Sequence, residues 1–183
     1  MQEILDLDTT EGRSDKDTHG YLPIYEELFT PIRDTKLPIL EIGVWTGSSL
    51  KVWRGWFTRA VIHGIDARAC DALGERIVTH QGFTLDATFL KEMAALGPFA
   101  AVIDDGSHCG DDQQAAFRAF WPALAPGGVY VIEDLHAAYM EYYSPSGMPF
   151  IRLLVDSMNI RGEWNDIGLI RFYPRLLVAE KTR

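Results

Sequence analysis

The stretch LPILEIGVWTGSSL (37–50) joins an apolar run to a glycine-containing loop and then to residues that can begin a helix. Gly43 and Gly47 allow the backbone to turn tightly and to approach a ligand closely, because glycine has no Cβ. Thr46 and Ser49 can cap the helix that follows. The stretch therefore predicts a strand, a loop and a helix. The loop either binds a ligand or is an ordinary connection.

Apolar runs alternate with helix-length segments along most of the chain. A parallel sheet covered by helices on both faces is typical of this pattern. The predicted strands are 37–44, 60–66, 76–82, 99–105 and 128–134. The predicted helices between them lie near 48–57, 68–75, 87–96 and 110–124.

The two ends of the chain differ from this alternation. After a predicted helix near 149–160, IGLIRFY and RLLVAEK are separated by a turn at Pro174, which predicts a C-terminal antiparallel hairpin. YLPIYEELF (21–29) predicts a short amphipathic helix before the first strand. We expect one domain over 1–183, with 1–35 as a helical segment that could act as a lid.

Composition narrows the class of protein. Apolar residues make up 47% of the 183 residues, and acids outnumber bases by 26 to 17, for a net charge of -9. An acidic chain is a poor candidate for nucleic-acid binding, and no apolar run is long enough to cross a bilayer. Cys70 and Cys109 form no metal-binding or disulfide pattern, and the first residues form no signal peptide, so we expect the cytoplasm.

Acidic residues end several of the predicted strands. In an open α/β sheet, the ligand crevice lies outside the carboxyl ends of the strands, and Glu41, Asp66 and Asp104 are all placed there. The spacing E-x-G-x-x-x-G differs from the G-x-G-x-x-G of nicotinamide-binding loops, and a carboxylate at Glu41 suits a cationic ligand. Asp66 can bind the hydroxyls of a ribose or cap a helix. Asp86 can reach an adenine edge or cap the helix that starts at Ala87.

The ends of the fourth and fifth strands bring more acids together. If these strands are neighbours, about 4.8 Å apart, Asp105 faces Glu133 or Asp134. Like charges about 4 Å apart repel by roughly 4 kcal/mol at an effective dielectric of about 20. A raised pKa, a cationic side chain or a metal must offset this repulsion. No Lys or Arg occurs between Lys91 and Arg118, so Mg²⁺ is the simplest interpretation. The alternative is that one acid of each pair caps a helix and the other faces water.

Histidines supply the candidates for proton transfer. His108 lies in the loop after the fourth strand, where a neutral imidazole can take a proton from a hydroxyl. His136 follows the second acid pair and could line the same cleft. His63 and His80 lie within predicted strands, so we expect them to be packed.

Aromatic residues cluster in two places. Those around the first helix, Trp45, Trp53, Trp56 and Phe57, are expected to pack in the core. A second group, Tyr139, Tyr142 and Tyr143, lies in a long loop after the fifth strand, which is placed to cover the cleft. Rings there could stack on a sugar or form a small separate core.

Five segments together carry a family resemblance that runs from about Ser14 to Lys181. They are SDKDTHGYLPIYEELF, ILEIGVWTGSSLKVW, IHGID, VIDDGSHCGDDQQAAF and PGGVYVIEDLHAAY. In this order they resemble class I S-adenosylmethionine-dependent methyltransferases. More closely, they resemble the metal-dependent macrolide sugar O-methyltransferases of the mycinamicin and demethylmacrocin type.

The resemblance implies a Rossmann-like fold with a seven-stranded, mostly parallel sheet, and it implies roles for individual residues. The residues that would bind S-adenosylmethionine are Glu41, Gly43, Thr46, Gly47, Ser49, Asp66, Asp86 and Asp104. The residues that would bind Mg²⁺ are Asp105 and Asp134, with Glu133 close by. His108 would be the general base, and Tyr139 and His136 are weaker candidates for substrate contact.

The expected reaction is methyl transfer to a hydroxyl of a sugar or another natural-product acceptor. The protein is expected to form a homo-oligomer and to bind neither nucleic acid nor membrane. Relatives usually carry a longer N-terminal portion than the few residues before SDK, so a partner subunit is expected to help complete the pocket. The alternatives are a cephalosporin-hydroxylase-like protein of similar sequence, a nicotinamide-dependent oxidoreductase and a non-catalytic nucleoside-binding module.

Overall fold

A seven-stranded sheet in the order β3-β2-β1-β4-β5-β7-β6 forms the centre of the protein. The computed structural model describes residues 3–11, 13–68, 73–143 and 149–182. Neighbouring strands are parallel from β3 to β5, whereas β7 is antiparallel to both β5 and β6. The strands are β1 (Ile39–Ile42), β2 (Ile62–Asp66), β3 (Ile77–Gln81), β4 (Phe99–Asp104), β5 (Leu124–Ile132), β6 (Ile167–Tyr173) and β7 (Leu176–Lys181). The predicted fold, including the C-terminal hairpin, is confirmed.

Helices cover both faces of the sheet. They are α1 (Glu3–Glu11), α2 (Leu22–Phe29), α3 (Ser48–Trp56), α4 (Ala87–Ala94), α5 (Gly110–Phe120) and α6 (Phe150–Asp156). Helices α1 to α3 bury apolar side chains in one core cluster, and α4 to α6 bury theirs in a second cluster on the opposite face. Within the described part of the chain, no helix has the length and apolar character that a membrane span requires.

Two predicted elements differ from the structure, and a third cannot be compared with it. The helix predicted near 68–75 falls largely on residues 69–72, which lie outside the described residues. The helix predicted over 110–124 ends at Phe120; Trp121 keeps helical backbone as its C-cap, and Pro122 has no N–H to continue the helical hydrogen bonds. Strand β5 then begins earlier than predicted, because Leu124 pairs with Phe99 of β4 ahead of a shift in register.

The predicted packing of the aromatic residues around α3 is partly wrong. Trp53, Trp56 and Phe57 are buried in the core as predicted, but Trp45 is 75% exposed. Its backbone lies in the left-handed region at φ 50°, in the loop between β1 and α3. The guanidinium carbon of Arg68 lies 4.7 Å from the centre of the Trp45 ring. This tryptophan therefore belongs to the loop surface, not to the core.

The N-terminal segment is part of the domain core. Ile4 of α1 and Tyr25 of α2 are fully buried in the cluster beneath α3. Between these two helices, residues 13–21 cross the carboxyl ends of the central strands. The order β2-β1-β4 places the reversal of winding at β1, so a crevice opens at the same edge of the sheet.

Candidate active site

A cleft of about 1060 Å³ lies at the carboxyl ends of β1, β2 and β4. Its walls come from the loops after these three strands, from the N-terminal segment and from the loop after β5. The lining residues that enter the argument below are Lys16, Gly43, Val44, Trp45, Thr46, Ser49, Asp66, Arg68, Asp105, His108, Tyr142 and Tyr143. The cleft thus lies where the strand-end acids predict a ligand.

Asp66 organises the loop after β1. Its Oδ2 accepts hydrogen bonds from the backbone N–H groups of Val44 and Trp45, at 2.9 and 3.0 Å, and its Oδ1 accepts one from the N–H of Arg68. Burial by itself would raise the pKa of Asp66, but these hydrogen bonds outweigh burial and lower it. Asp66 is therefore an ionised acceptor at neutral pH and lines the cleft.

The two glycines of this loop are required by its conformation. Gly43 has φ 91°, and a Cβ on it would lie 2.0 Å from the carbonyl oxygen of Asp105. Gly47 has φ 78° and packs against Leu73, whose Cδ1 would lie 2.2 Å from an added Cβ. The first contact brings the loop after β1 directly against the loop after β4, which carries the candidate metal ligand.

Glu41 lies beneath the cleft and does not form part of its lining. Its side chain is fully buried, and its Oε2 accepts a 2.7 Å hydrogen bond from the hydroxyl of Ser49. Burial raises the pKa of Glu41, and the nearby charge of Lys16 opposes this. Glu41 therefore reaches a ligand in the cleft only through its neighbours, which differs from the direct contact expected from the sequence.

Lys16 is the functional candidate that the sequence reasoning missed. Its Nζ lies 2.7 Å from Asp105 Oδ2, 2.7 Å from Glu133 Oε1 and 3.2 Å from Glu41 Oε1. A cationic side chain is thus present between the strand-end acids. It is one of the three features expected to offset their repulsion. It comes from far away in the sequence. The available signal was its place in the segment SDKDTHGY, which carries the family resemblance.

The charges around Lys16 shift one another's pKa values. Burial alone would lower the pKa of Lys16, but its three carboxylate neighbours raise the value well above the ordinary one. Burial raises the pKa of Glu133 to about 8, against the lowering effect of Lys16. Glu133 also accepts a hydrogen bond from the Tyr25 hydroxyl. Lys16 is therefore a permanent cation in this cluster.

Asp134 lies beside a second set of N-terminal side chains. The Tyr21 hydroxyl donates a 2.8 Å hydrogen bond to Asp134 Oδ1, and His19 Nδ1 lies 3.6 Å from the same oxygen. Both Asp134 and His108 have positive φ angles, 51° and 59°, which aim their side chains out of sharp turns. The predicted neighbourhood of Asp105 and Asp134 is therefore present, since ligand atoms of Asp105, His108 and Asp134 all lie within 4.8 Å of one another.

The residues of this cluster fit a divalent cation. Mg²⁺ binds oxygen at about 2.1 Å, so its ligand atoms are at most about 4.2 Å apart, and the ligand atoms of Asp105, His108 and Asp134 lie within 4.8 Å of one another. Asp105, Glu133, Asp134 and Glu41 together exceed the single positive charge of Lys16. Among the described residues, His108 Nδ1 is also a buried atom without a hydrogen-bond partner. Charge, donor type and spacing all suit a hard cation.

Seven other predicted site residues do not line the cleft: Gly47, Glu133 and Asp134, described above, and four more. Asp86 caps α4, where its Oδ1 accepts hydrogen bonds from the N–H groups of Thr88 and Phe89. The structure therefore shows the capping alternative for this residue. Asp104 is buried on the opposite face of the sheet, accepts a hydrogen bond from Tyr130 and has its pKa raised to about 7 by burial. Tyr139 and His136, the candidates for substrate contact, also lie outside the cleft lining.

Tyr142 and Tyr143 line the cleft in place of Tyr139. The Tyr143 ring lies edge-on to the His108 imidazole, with 5.9 Å between the ring centres. The loop after β5 therefore covers the cleft as predicted, through the second and third tyrosines of its cluster. Its contact with His108 restricts where that imidazole can turn.

The fold and the site define a Rossmann-like protein of the class I methyltransferase type. A search of solved structures finds the methyltransferase MycE of the mycinamycin biosynthetic pathway, in complex with Mg, S-adenosylhomocysteine and mycinamycin VI. Its TM-score is 0.87 and its identity 31%, covering 99% of this chain and 54% of that chain. The O-methyltransferase NovP, at 15% identity and a TM-score of 0.63, shares the fold.

Curated sequences identify the particular group. The chain is 44% identical over 134 residues to a rhamnosyl-tetracenomycin-C 3'-O-methyltransferase of Streptomyces olivaceus, covering 68% of this chain and 34% of the relative. It is 37% identical over 158 residues to demethylmacrocin O-methyltransferase of Streptomyces fradiae, covering 76% and 40%. The chain is thus homologous to the sugar O-methyltransferases of antibiotic biosynthesis, and the resemblance stated from its motifs is confirmed.

The extent of these matches is limited. The chain spans between about a third and a half of the length of the curated relatives it matches. No protein-family model matches it.

Proposed function

We propose that this chain is an S-adenosylmethionine-dependent O-methyltransferase that methylates a hydroxyl group on a sugar of a glycosylated natural product. One observation carries the proposal. Asp105, His108 and Asp134 gather beside a cleft whose other wall is the loop organised by Asp66. A cation site, a base and a nucleoside-sized space thus adjoin one another, which is the set of parts that metal-assisted methyl transfer requires.

The donor would lie along the loop after β1. Gly43, Thr46 and Ser49 line this wall, and Asp66 offers the lone pair that its three backbone hydrogen bonds leave unused to a ribose hydroxyl. Because the pKa of Asp66 is lowered, its carboxylate accepts hydrogen bonds throughout the neutral range. Glu41 would support this wall from below through its hydrogen bond with Ser49.

The acceptor would lie above the acid cluster. Asp105 and Asp134 would hold Mg²⁺, with Glu133 close by. When bound, Mg²⁺ would supply a Lewis acid that lowers the pKa of the reacting hydroxyl. Tyr142 and Tyr143 border the same space and offer ring faces against a sugar. Enclosure by this loop would also keep water away from the donor sulfonium.

His108 would accept the proton of the reacting hydroxyl. A neutral imidazole can act as a general base towards a hydroxyl. The 5.9 Å contact between its ring and that of Tyr143 helps to hold it towards the acceptor side. Its closeness to Asp105 and Asp134 also makes it a possible metal ligand, so the experiment must separate these two roles.

The matched relatives favour this function over the rival interpretations. The curated proteins described above are O-methyltransferases, whereas a cephalosporin-hydroxylase-like protein would add oxygen and a nucleoside-binding module would transfer nothing. The relatives act on rhamnosylated tetracenomycin and demethylmacrocin by name, so glycosylated polyketides are the first acceptors to try. Assembly as a homo-oligomer remains a prediction.

The test begins with donor binding and continues with product mass. S-adenosylhomocysteine should raise the melting temperature of the protein, and Mg²⁺ should add to this rise. With S-adenosylmethionine, Mg²⁺ and a glycosylated polyketide, the product should gain the mass of one methyl group, and EDTA should abolish the gain. A gain of one oxygen, or donor binding without any product across the panel, would contradict the proposal.

His108→Ala separates the base from a ligand. As a base, its removal should lower turnover by about a hundredfold or more. The affinities for S-adenosylhomocysteine and for Mn²⁺ should stay close to those of the unaltered protein. A collapse of Mn²⁺ affinity would make His108 a metal ligand, and a collapse of nucleoside affinity would make it part of the donor site.

A further inference from the structure

The acids at the strand ends form two overlapping groups. We define the inner group as Glu41, Asp105 and Glu133, and the outer group as Asp105, His108 and Asp134. Within each group, ligand atoms lie within 4.8 Å of one another, and Asp105 belongs to both. Either group has the composition of a cation site.

The inner group already contains a positive charge. Lys16 Nζ contacts a carboxylate oxygen of every member, and Lys16 itself is only 1% exposed. The ammonium group therefore takes the position that a metal ion would otherwise take between three carboxylates. Because it is attached to the chain, it cannot leave or exchange as an ion would.

The outer group is different in burial and in partners. The side chain of Asp105 is 21% exposed and that of Asp134 is 16% exposed, so both are less buried than the rest of the inner group. Tyr21 and His19 reach Asp134 from the same N-terminal segment that carries Lys16. Residues 14–21 therefore contact acids of both groups.

We propose that Lys16 is a positioning residue that fills the inner group with a built-in positive charge and so confines a divalent cation to the outer group. This inference rests on the proposed function in so far as the cation belongs to that reaction. Lys16 acts through Asp105: its ammonium holds Oδ2 at 2.7 Å and so sets where the shared carboxylate faces the cleft. A lysine that only stabilised the fold would have no effect on metal binding beyond its effect on folding.

The charges predict opposite effects for two substitutions. Lys16→Met removes a positive charge beside the cation, so Mn²⁺ should bind more tightly, by about tenfold or more. Glu41→Gln removes a negative charge that balances Lys16 and that is not part of the outer group, so Mn²⁺ should bind several times more weakly. The amide oxygen of the glutamine can still accept the hydrogen bond from Ser49, which keeps this variant close in shape.

The experiment measures Mn²⁺ binding by calorimetry and by electron paramagnetic resonance at pH 8.5, without any nucleoside present. The variants are Lys16→Met, Lys16→Arg and Glu41→Gln, and the control is Lys36→Met, an exposed lysine outside the cleft lining. Lys16→Arg keeps the charge and should bind Mn²⁺ within about threefold of the unaltered protein. Melting temperatures with and without Mn²⁺ should show the largest metal-induced rise for Lys16→Met.

Opposite shifts for Lys16→Met and Glu41→Gln, with recovery in Lys16→Arg, support the inference. Equal affinities across the set, or weaker binding in Lys16→Met, overturn it and leave Lys16 as a structural residue. If Lys16→Met does not fold, Glu41→Gln decides alone, and an unchanged affinity there overturns the inference. Methyl transfer can fail while this pattern of Mn²⁺ affinities holds, so the two proposals fail separately.

Discussion

Gly43→Ala tests whether the loops after β1 and β4 depend on a close backbone approach. A Cβ on this residue would lie 2.0 Å from the carbonyl oxygen and 2.7 Å from the carbonyl carbon of Asp105. Since both atoms belong to the backbone, relief requires the loop after β4 to move by about an ångström, together with its candidate metal ligand. The φ of 91° adds a cost of roughly 1–2 kcal/mol for any residue with a side chain.

The expected loss of stability follows from these two contributions. A left-handed backbone conformation costs about 1–2 kcal/mol, and overpacking adds typically 1–3 kcal/mol, so the variant should lose about 2–5 kcal/mol. Urea unfolding measures this loss. Mn²⁺ affinity measured on the folded variant should fall as well, because Asp105 moves with its loop.

Gly162→Ala is the matched control. Its φ is 64°, and nothing lies within 4 Å of an added Cβ, so it carries the conformational cost without the clash. This control should lose about 1–2 kcal/mol and keep its Mn²⁺ affinity. Equal losses in the two variants, with Mn²⁺ binding intact in both, would refute the reasoning that the Gly43 contact positions Asp105.

Three further outcomes are expected. Asp86→Ala should lower the free energy of unfolding in urea by about 0.5–2 kcal/mol, because the α4 cap is lost. The affinity for S-adenosylhomocysteine should stay unchanged, and a large drop in it would instead support a contact between Asp86 and the adenine. Burial lowers the pKa of both His63 and His80, so the unfolded chain binds more protons near pH 6 and stability should fall as the pH drops below about 6.5. The double variant His63→Gln/His80→Gln should lose less stability between pH 7.5 and pH 5.5, and an unaltered pH profile would contradict this. Trp45→Ala should change the free energy of unfolding by less than about 1 kcal/mol, because the ring is 75% exposed, and a loss as large as that of a core tryptophan would contradict its placement.

Local sequence patterns were sufficient for most of the architecture. The runs of β1 and β4 were recognisable because strands covered on both faces are apolar throughout, and β2 and β3 were recognisable as shorter apolar runs beside them. The C-terminal hairpin was predicted from the two runs on either side of Pro174. The start of β5 was not, since it is decided by the pairing of Leu124 with Phe99 of β4.

The candidate site was predictable in part. The meeting of Asp105 and Asp134 follows from their places at the ends of neighbouring parallel strands, which a sequence pattern can indicate. The sequence pattern did not predict to which face of the sheet each acid points. Asp104 and Asp105 are adjacent in sequence, yet Asp104 is buried against Tyr130 and Asp105 faces the cleft. Successive side chains of a strand alternate between faces, and the exact residue at which a strand ends selects which acid reaches the site.

By itself, the sequence determined the order of strands and helices, the glycine-containing loop and the set of acids at one edge of the sheet, because these follow from short-range periodicity and turn chemistry. Only the tertiary structure decided that Lys16, 89 residues before Asp105 and 117 before Glu133, supplies the positive charge between them. Such a pairing depends on where a long segment of chain returns in space. Local propensity does not indicate where the N-terminal segment comes back against the sheet. The buried carboxylates nevertheless strongly favour a cation beside them, since unpaired charges are costly to bury.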